Sequence, residues 1–161
     1  MTHLVHIDRA EGLDSPDDES FYCWVNSTLA RVTEQVPANP EVSFRVNDAE
    51  EMAALNLRFR SKDGPTNVLS FPADLVTEKT ASLLGDIAIC APVVIAEAAQ
   101  QSKSAEAHWA HLTVHGVLHL LGYDHIDPAE AQKMESLEIE ILAELGFNNP
   151  YTEYEERALL T

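Results

Sequence analysis

Cysteine is scarce in this chain: Cys23 and Cys90 are the only two in 161 residues, far apart and outside any Cys-x-x-Cys pair. That excludes a disulfide framework and makes the reduced cytoplasm the expected compartment. Cations are scarce as well. Ten Lys and Arg stand against 27 Asp and Glu, a net charge of −17. A field of that sign repels phosphates and excludes general, non-specific nucleic-acid binding. Long hydrophobic runs are missing too. The most apolar stretch, Ala107 to Tyr123, carries four histidines and is too short and too polar to span a bilayer. The opening residues, MTHLVHIDRAEG, have no basic segment leading into an apolar one, so no secretory signal is expected. What is there is ordinary for a globular enzyme: 45% hydrophobic and 23% charged residues. There is no internal repeat and no linker. Residues 1–161 read as one domain, long enough to bury roughly two-thirds of its unfolded surface.

The few cations are not spread evenly. Arg58, Arg60 and Lys62 put three of the ten within five residues. Such an island lets an acidic protein bind a polyanion at one place. The plainer reading is a solvated helix end whose cations favour the C-terminal dipole.

Periodicity gives an α+β chain. Strands are expected at 3–8, Glu41 to Val46, Asn67 to Phe71 and Leu84 to Cys90, a four-stranded set without regular βα alternation. A helix capped by Ser15, with Pro16 at its first position, should run to about Gln35 with Phe21, Val25 and Leu29 inward. Asp48 to Arg60 should form a second helix burying Met52, Leu55 and Phe59. A third opens at Ala91-Pro92, and a fourth, bearing the histidines, opens near Ser104 and stops near Gly122. The last starts at Asp127-Pro128 and runs to Leu145, burying Ala131, Met134, Leu137, Ile141 and Leu145, with Gly146 as its cap.

The chemistry is concentrated in HGVLHLLGYDH, His115 to His125. Residues four apart share a helix face, with Cβ atoms about 5–6 Å apart, so His115 and His119 can converge on one ion. A third ligand on the next helical turn would overshoot it. Gly122 can adopt the left-handed conformation that ends a helix and turns the chain back, returning His125 toward the first two. Three neutral imidazoles with one position left open describe a catalytic zinc site. The stretch Ala107 to Tyr123 holds no charged residue, so the helix should be buried, and buried imidazoles need partners. His111 reads as a hydrogen-bonded histidine behind the ligands and His108 as nearer the surface. Trp109 reads as core. Asp124 either bonds a ligand imidazole or caps the turn.

The spacing His-x-x-x-His-x-x-Gly-x-x-His is also that of metzincin peptidases, in which a Glu follows the first His as general base. Here that residue is Gly116, which takes no proton, so a peptidase is the weaker alternative. Together with LNLRFRSKDGPTNVLSFP (Leu55 to Pro72) and LLGDIAIC (Leu83 to Cys90), the histidine motif resembles the bacterial rRNA-maturation endoribonucleases, the YbeY family, over about residues 20 to 150. With that resemblance a third reading stands beside enzyme and peptidase: a ribosome-assembly binding factor with a structural metal. That resemblance implies a mixed sheet surrounded by helices and a zincin-like metal helix at the end of a cleft. It implies a zinc-dependent, single-strand-specific endoribonuclease that matures the 3′ end of small-subunit ribosomal RNA and serves ribosome quality control. One Zn2+ per chain would be held by His115, His119 and His125, with Arg60 as the catalytic cation beside it. The implied partners are single-stranded ribosomal RNA and the ribosome or its small subunit; no DNA and no membrane are expected.

Overall fold

The computed structural model describes residues 4–73 and 83–151; position 3, the first residue of the expected opening strand, lies outside them. Strands β1 (Leu4–Arg9), β2 (Glu41–Asn47), β3 (Val68–Pro72) and β4 (Leu83–Cys90) hydrogen-bond into one mixed sheet in the order β1-β2-β4-β3. The pairs β1·β2 and β2·β4 are parallel, whereas β3 runs antiparallel to β4 at the edge. Around it lie α1 (Asp18–Arg31), α2 (Ala49–Arg60), α3 (Ala91–Gln100), α4 (Ala105–Leu120) and α5 (Pro128–Glu144). This is the α+β arrangement with a four-stranded sheet that the periodicity calls for.

Strand β4 shows why helices cover both faces. Its side chains alternate across the pleat. Ile87 and Ile89 point into the main core with Phe21, Val25 and Leu29 of α1 and Val114, Val117 and Leu118 of α4. Ala88 and Cys90 point the other way, onto Met52 of α2 and Leu69 of β3. Helix α4 is buried along most of its length, as its lack of charge anticipates. Trp109 is in the core, edge-on to Phe21 at 6.2 Å between ring centroids.

Four expectations need correction. The cap of α1 is Asp17, whose carboxylate accepts from Ser20 N. Ser15 is drawn instead onto Arg9, whose Nε donates to its Oγ at 2.7 Å. That helix stops at Arg31, and Thr33–Gln35 forms a separate 3-10 turn. Phe59 is 47% exposed, because the last turn of α2, residues 57–60, is exposed throughout and leaves the ring between Phe71, edge-on at 5.1 Å, and the Arg58 guanidinium. Asn56 is buried instead, and its Nδ2 donates to Gly64 O at 2.9 Å, tying down the loop after α2. His108, placed near the surface by its position on α4, is 3% exposed, since α3 packs alongside and brings Glu97 to its Nε2 at 2.9 Å.

Candidate metal centre and cleft

Ser104 caps α4 by accepting from Ala107 N at 3.1 Å, and the helix then carries His111, His115 and His119 on one stripe. Its end is closed by two backbone bonds, Tyr123 N to Leu118 O at 3.1 Å and Gly122 N to His119 O at 3.0 Å. This is the Schellman arrangement, which needs a left-handed residue; Gly122 supplies it with φ +98°. The chain reverses there, and Asp124 Oδ1 accepts from His125 N at 2.7 Å. Of the two roles open to Asp124, the turn cap is the one its hydrogen bond makes. The result brings His115, His119 and His125 together. Their ring centroids are 4.6, 5.1 and 5.5 Å apart, and one nitrogen from each lies within 4.8 Å of the others.

The donor set suits a metal ion. Burial, reinforced by the neighbouring His115 and His125, pushes the His119 pKa down to about 4, so this imidazole is neutral at physiological pH with a lone pair to give. Behind the triad sits Glu138 of α5, which the sequence analysis did not single out. Burial alone would raise its pKa. Hydrogen bonds from His111 and His115 outweigh that and hold it at about 2. His111 is the hydrogen-bonded histidine anticipated, with Nε2 at 2.6 Å from Glu138 Oε1.

The three histidines line a cleft of about 750 Å³, shared with Asn56, Arg60, Lys62, Ser70 and Asp124. Its far wall is the free edge of β3. Arg60 reaches it from the last turn of α2: Nη2 donates to Ser70 O at 3.1 Å, and the guanidinium sits 5.7 Å from the Phe71 centroid. Arg58 points away, over the Phe59 ring at 5.1 Å, and does not line the cleft. The basic island is thus both a helix end and, through Arg60 and Lys62, a cleft wall. Ser70 joins the two walls, its Oγ donating to Gly116 O at 3.2 Å. At Gly116, α4 lies tight against Ile87 of β4 and Ser70 of β3. A Cβ there would lie 3.1 and 3.2 Å from Ile87 and 3.3 Å from Ser70 Oγ. No side chain at 116 offers a base, and among the described residues the only carboxylate lining the cleft is Asp124.

Fold and cleft together define a small α+β protein with a three-imidazole cluster, able to hold a metal ion, opposite a cationic edge. A model of the family described as endoribonuclease YbeY matches residues 8–146. A protein named endoribonuclease YbeY from Methylococcus capsulatus is 51% identical over 147 residues, covering 91% of this chain and 94% of its own. The chain belongs to the endoribonuclease YbeY family, and is an endoribonuclease. The solution structure of a Thermotoga maritima protein shares the fold, with a TM-score of 0.56 at 24% identity over 88% of this chain and 91% of that one. An endoribonuclease acts on RNA, a polyanion. No helix among the described residues is long and apolar enough to cross a membrane.

Proposed function

We propose that this chain is a zinc endoribonuclease that cleaves single-stranded ribosomal RNA at the 3′ end of the small-subunit precursor in the cytoplasm, and that it serves ribosome quality control. His115, His119 and His125 hold the ion, and Arg60 is the catalytic cation. The observation that carries this reading is the shared cleft: three convergent imidazoles on one wall and a guanidinium on the other. When bound, zinc acts as a Lewis acid toward the scissile phosphate.

The chain's own residues do the rest. The −17 surface turns the RNA backbone away except along the β3 edge, where Arg60 and Lys62 receive it. Arg60 is anchored by Ser70 O through one nitrogen, which leaves the rest of its fork of donors to grip phosphate oxygens as negative charge grows on them. Asp124 is engaged with the His125 backbone and holds that ligand's turn rather than moving a proton. Peptidase chemistry of the metzincin kind lacks its base, because Gly116 stands where the carboxylate would be, and a Cβ there would already lie 3.1 Å from Ile87 and 3.3 Å from Ser70 Oγ.

The test is cleavage of single-stranded RNA by purified protein, abolished by a chelator and restored by zinc, with a duplex of the same sequence and casein as controls. Activity undiminished by complete metal removal would overturn the zinc reading. Cleavage of the duplex at the same rate would overturn the strand preference.

A further inference from the structure

Helix α5 buries a carboxylate at a core position. Glu138 is 1% exposed and lies on the inward stripe between Met134 and Ile141. A buried charge persists only where donors converge on it, and here three do. His111 Nε2 lies 2.6 Å from Oε1, and the Tyr151 hydroxyl donates to the same oxygen at 2.9 Å. The third donor is His115, whose Nδ1 is 3.4 Å from both carboxylate oxygens. An ionised carboxylate only accepts, so the nitrogen facing it carries the proton. With Nδ1 protonated, the lone pair of His115 is on Nε2.

From this geometry we propose that Glu138 is the positioning residue that fixes the tautomer and ring orientation of His115 and so presents Nε2 to the ion. The proposal rests on the reading of His115 as a metal ligand. His111 and Tyr151 saturate Oε1 and lock the carboxylate from one side, leaving Oε2 for His115. A carboxylate behind a ligating imidazole raises its basicity and keeps it from rotating away. The site thereby draws on α5 as well as on α4 and its turn. The competing account is a fold-stabilising ion pair between Glu138 and His111, with His115 a bystander.

The experiment uses the full chain, prepared metal-free, as wild type, Glu138→Gln and Tyr151→Phe. Long-range proton–nitrogen NMR of the imidazoles should report the Nδ1–H tautomer for His115 in the wild type, and a mixture or the Nε2–H form in Glu138→Gln. Competition with a chromophoric chelator should show zinc affinity falling about 10- to 100-fold in Glu138→Gln. Tyr151→Phe, which removes a bond from the same carboxylate without touching His115, should bind zinc like the wild type. A wild-type His115 in the Nε2–H form overturns the proposal, and that spectrum needs no variant to fold. So does Glu138→Gln with tautomer and affinity unchanged beside tight binding by the wild type, whatever happens to its melting temperature. Failure of the wild type itself to bind zinc would overturn the metal reading of the triad, and this proposal with it.

Discussion

Arg60→Ala separates catalysis from folding most cleanly. The side chain is exposed, and it is held by a hydrogen bond to Ser70 O, a long one to Phe59 O at 3.4 Å, and the face of Phe71. Ser70 O lies on the free edge of β3, where water replaces the lost donor, so nothing buried is orphaned. The stability cost should stay within about 0.5–1 kcal/mol, or a melting shift of no more than about 4 °C for a chain of this size. Zinc content should not change. Single-turnover cleavage of end-labelled single-stranded RNA at saturating zinc should fall about 10²- to 10³-fold, the loss of one transition-state donor, or roughly 2.7–4 kcal/mol. Arg60→Lys should recover part of that, because an ammonium keeps the charge but loses the planar fork. Arg58→Ala is the internal control: its guanidinium lies over Phe59 and outside the cleft, so turnover should stay near wild type. Full activity in Arg60→Ala, or a loss no greater than that of Arg58→Ala, refutes the argument. A clear drop in melting temperature with normal turnover would show Arg60 to be a strand clamp and nothing more.

Three further outcomes follow from the same geometry. His119→Ala should lose most of about one equivalent of zinc per chain, since two imidazoles hold the ion weakly; unchanged zinc by elemental analysis would remove the triad from the site. Gly116→Glu should create no casein hydrolysis and should lower the melting temperature, because its Cβ begins 3.1 Å from Ile87 and 3.3 Å from Ser70 Oγ; wild-type-like melting would show that the contact yields freely. Burial lowers the His108 pKa from 6.5 despite its bond to Glu97. The unfolded chain therefore takes up a proton that the folded one refuses, and the contribution is present above about pH 6.5 and lost as pH falls below it. The urea midpoint should drop more between pH 7.5 and 5.5 for wild type than for His108→Gln; equal drops would refute it.

Local chemistry was legible because it repeats at short range. The triad needs only an i, i+4 pair and a glycine that can go left-handed, and both are visible in eleven residues. Strand and helix positions follow from period. What required the fold was every fact about neighbours. Phe59 looks like a core residue by spacing from Met52, yet it falls in a last turn of α2 that is exposed throughout. Glu138 hides among Glu135 and Glu140 as one more acidic residue of a solvated helix. The signal was its place four residues after Met134 and three before Ile141, a charge on the buried stripe, where only a partner from elsewhere could keep it.

Gly116 joins the two levels. By sequence it marks a lost general base, and by structure it is a place where α4 lies tight against Ile87 of β4 and Ser70 of β3. Ser70 reaches across that gap to Gly116 O and also presents the carbonyl that anchors Arg60. A larger residue at 116 would press on Ile87 and Ser70, which would have to give by a few tenths of an ångström. The substitution that would restore a peptidase-like carboxylate is thus one that strains the strand on which Arg60 rests. A base at 116 and an undisturbed Arg60 therefore compete at one contact, and the melting temperature and RNA turnover of Gly116→Glu report which of them gives way.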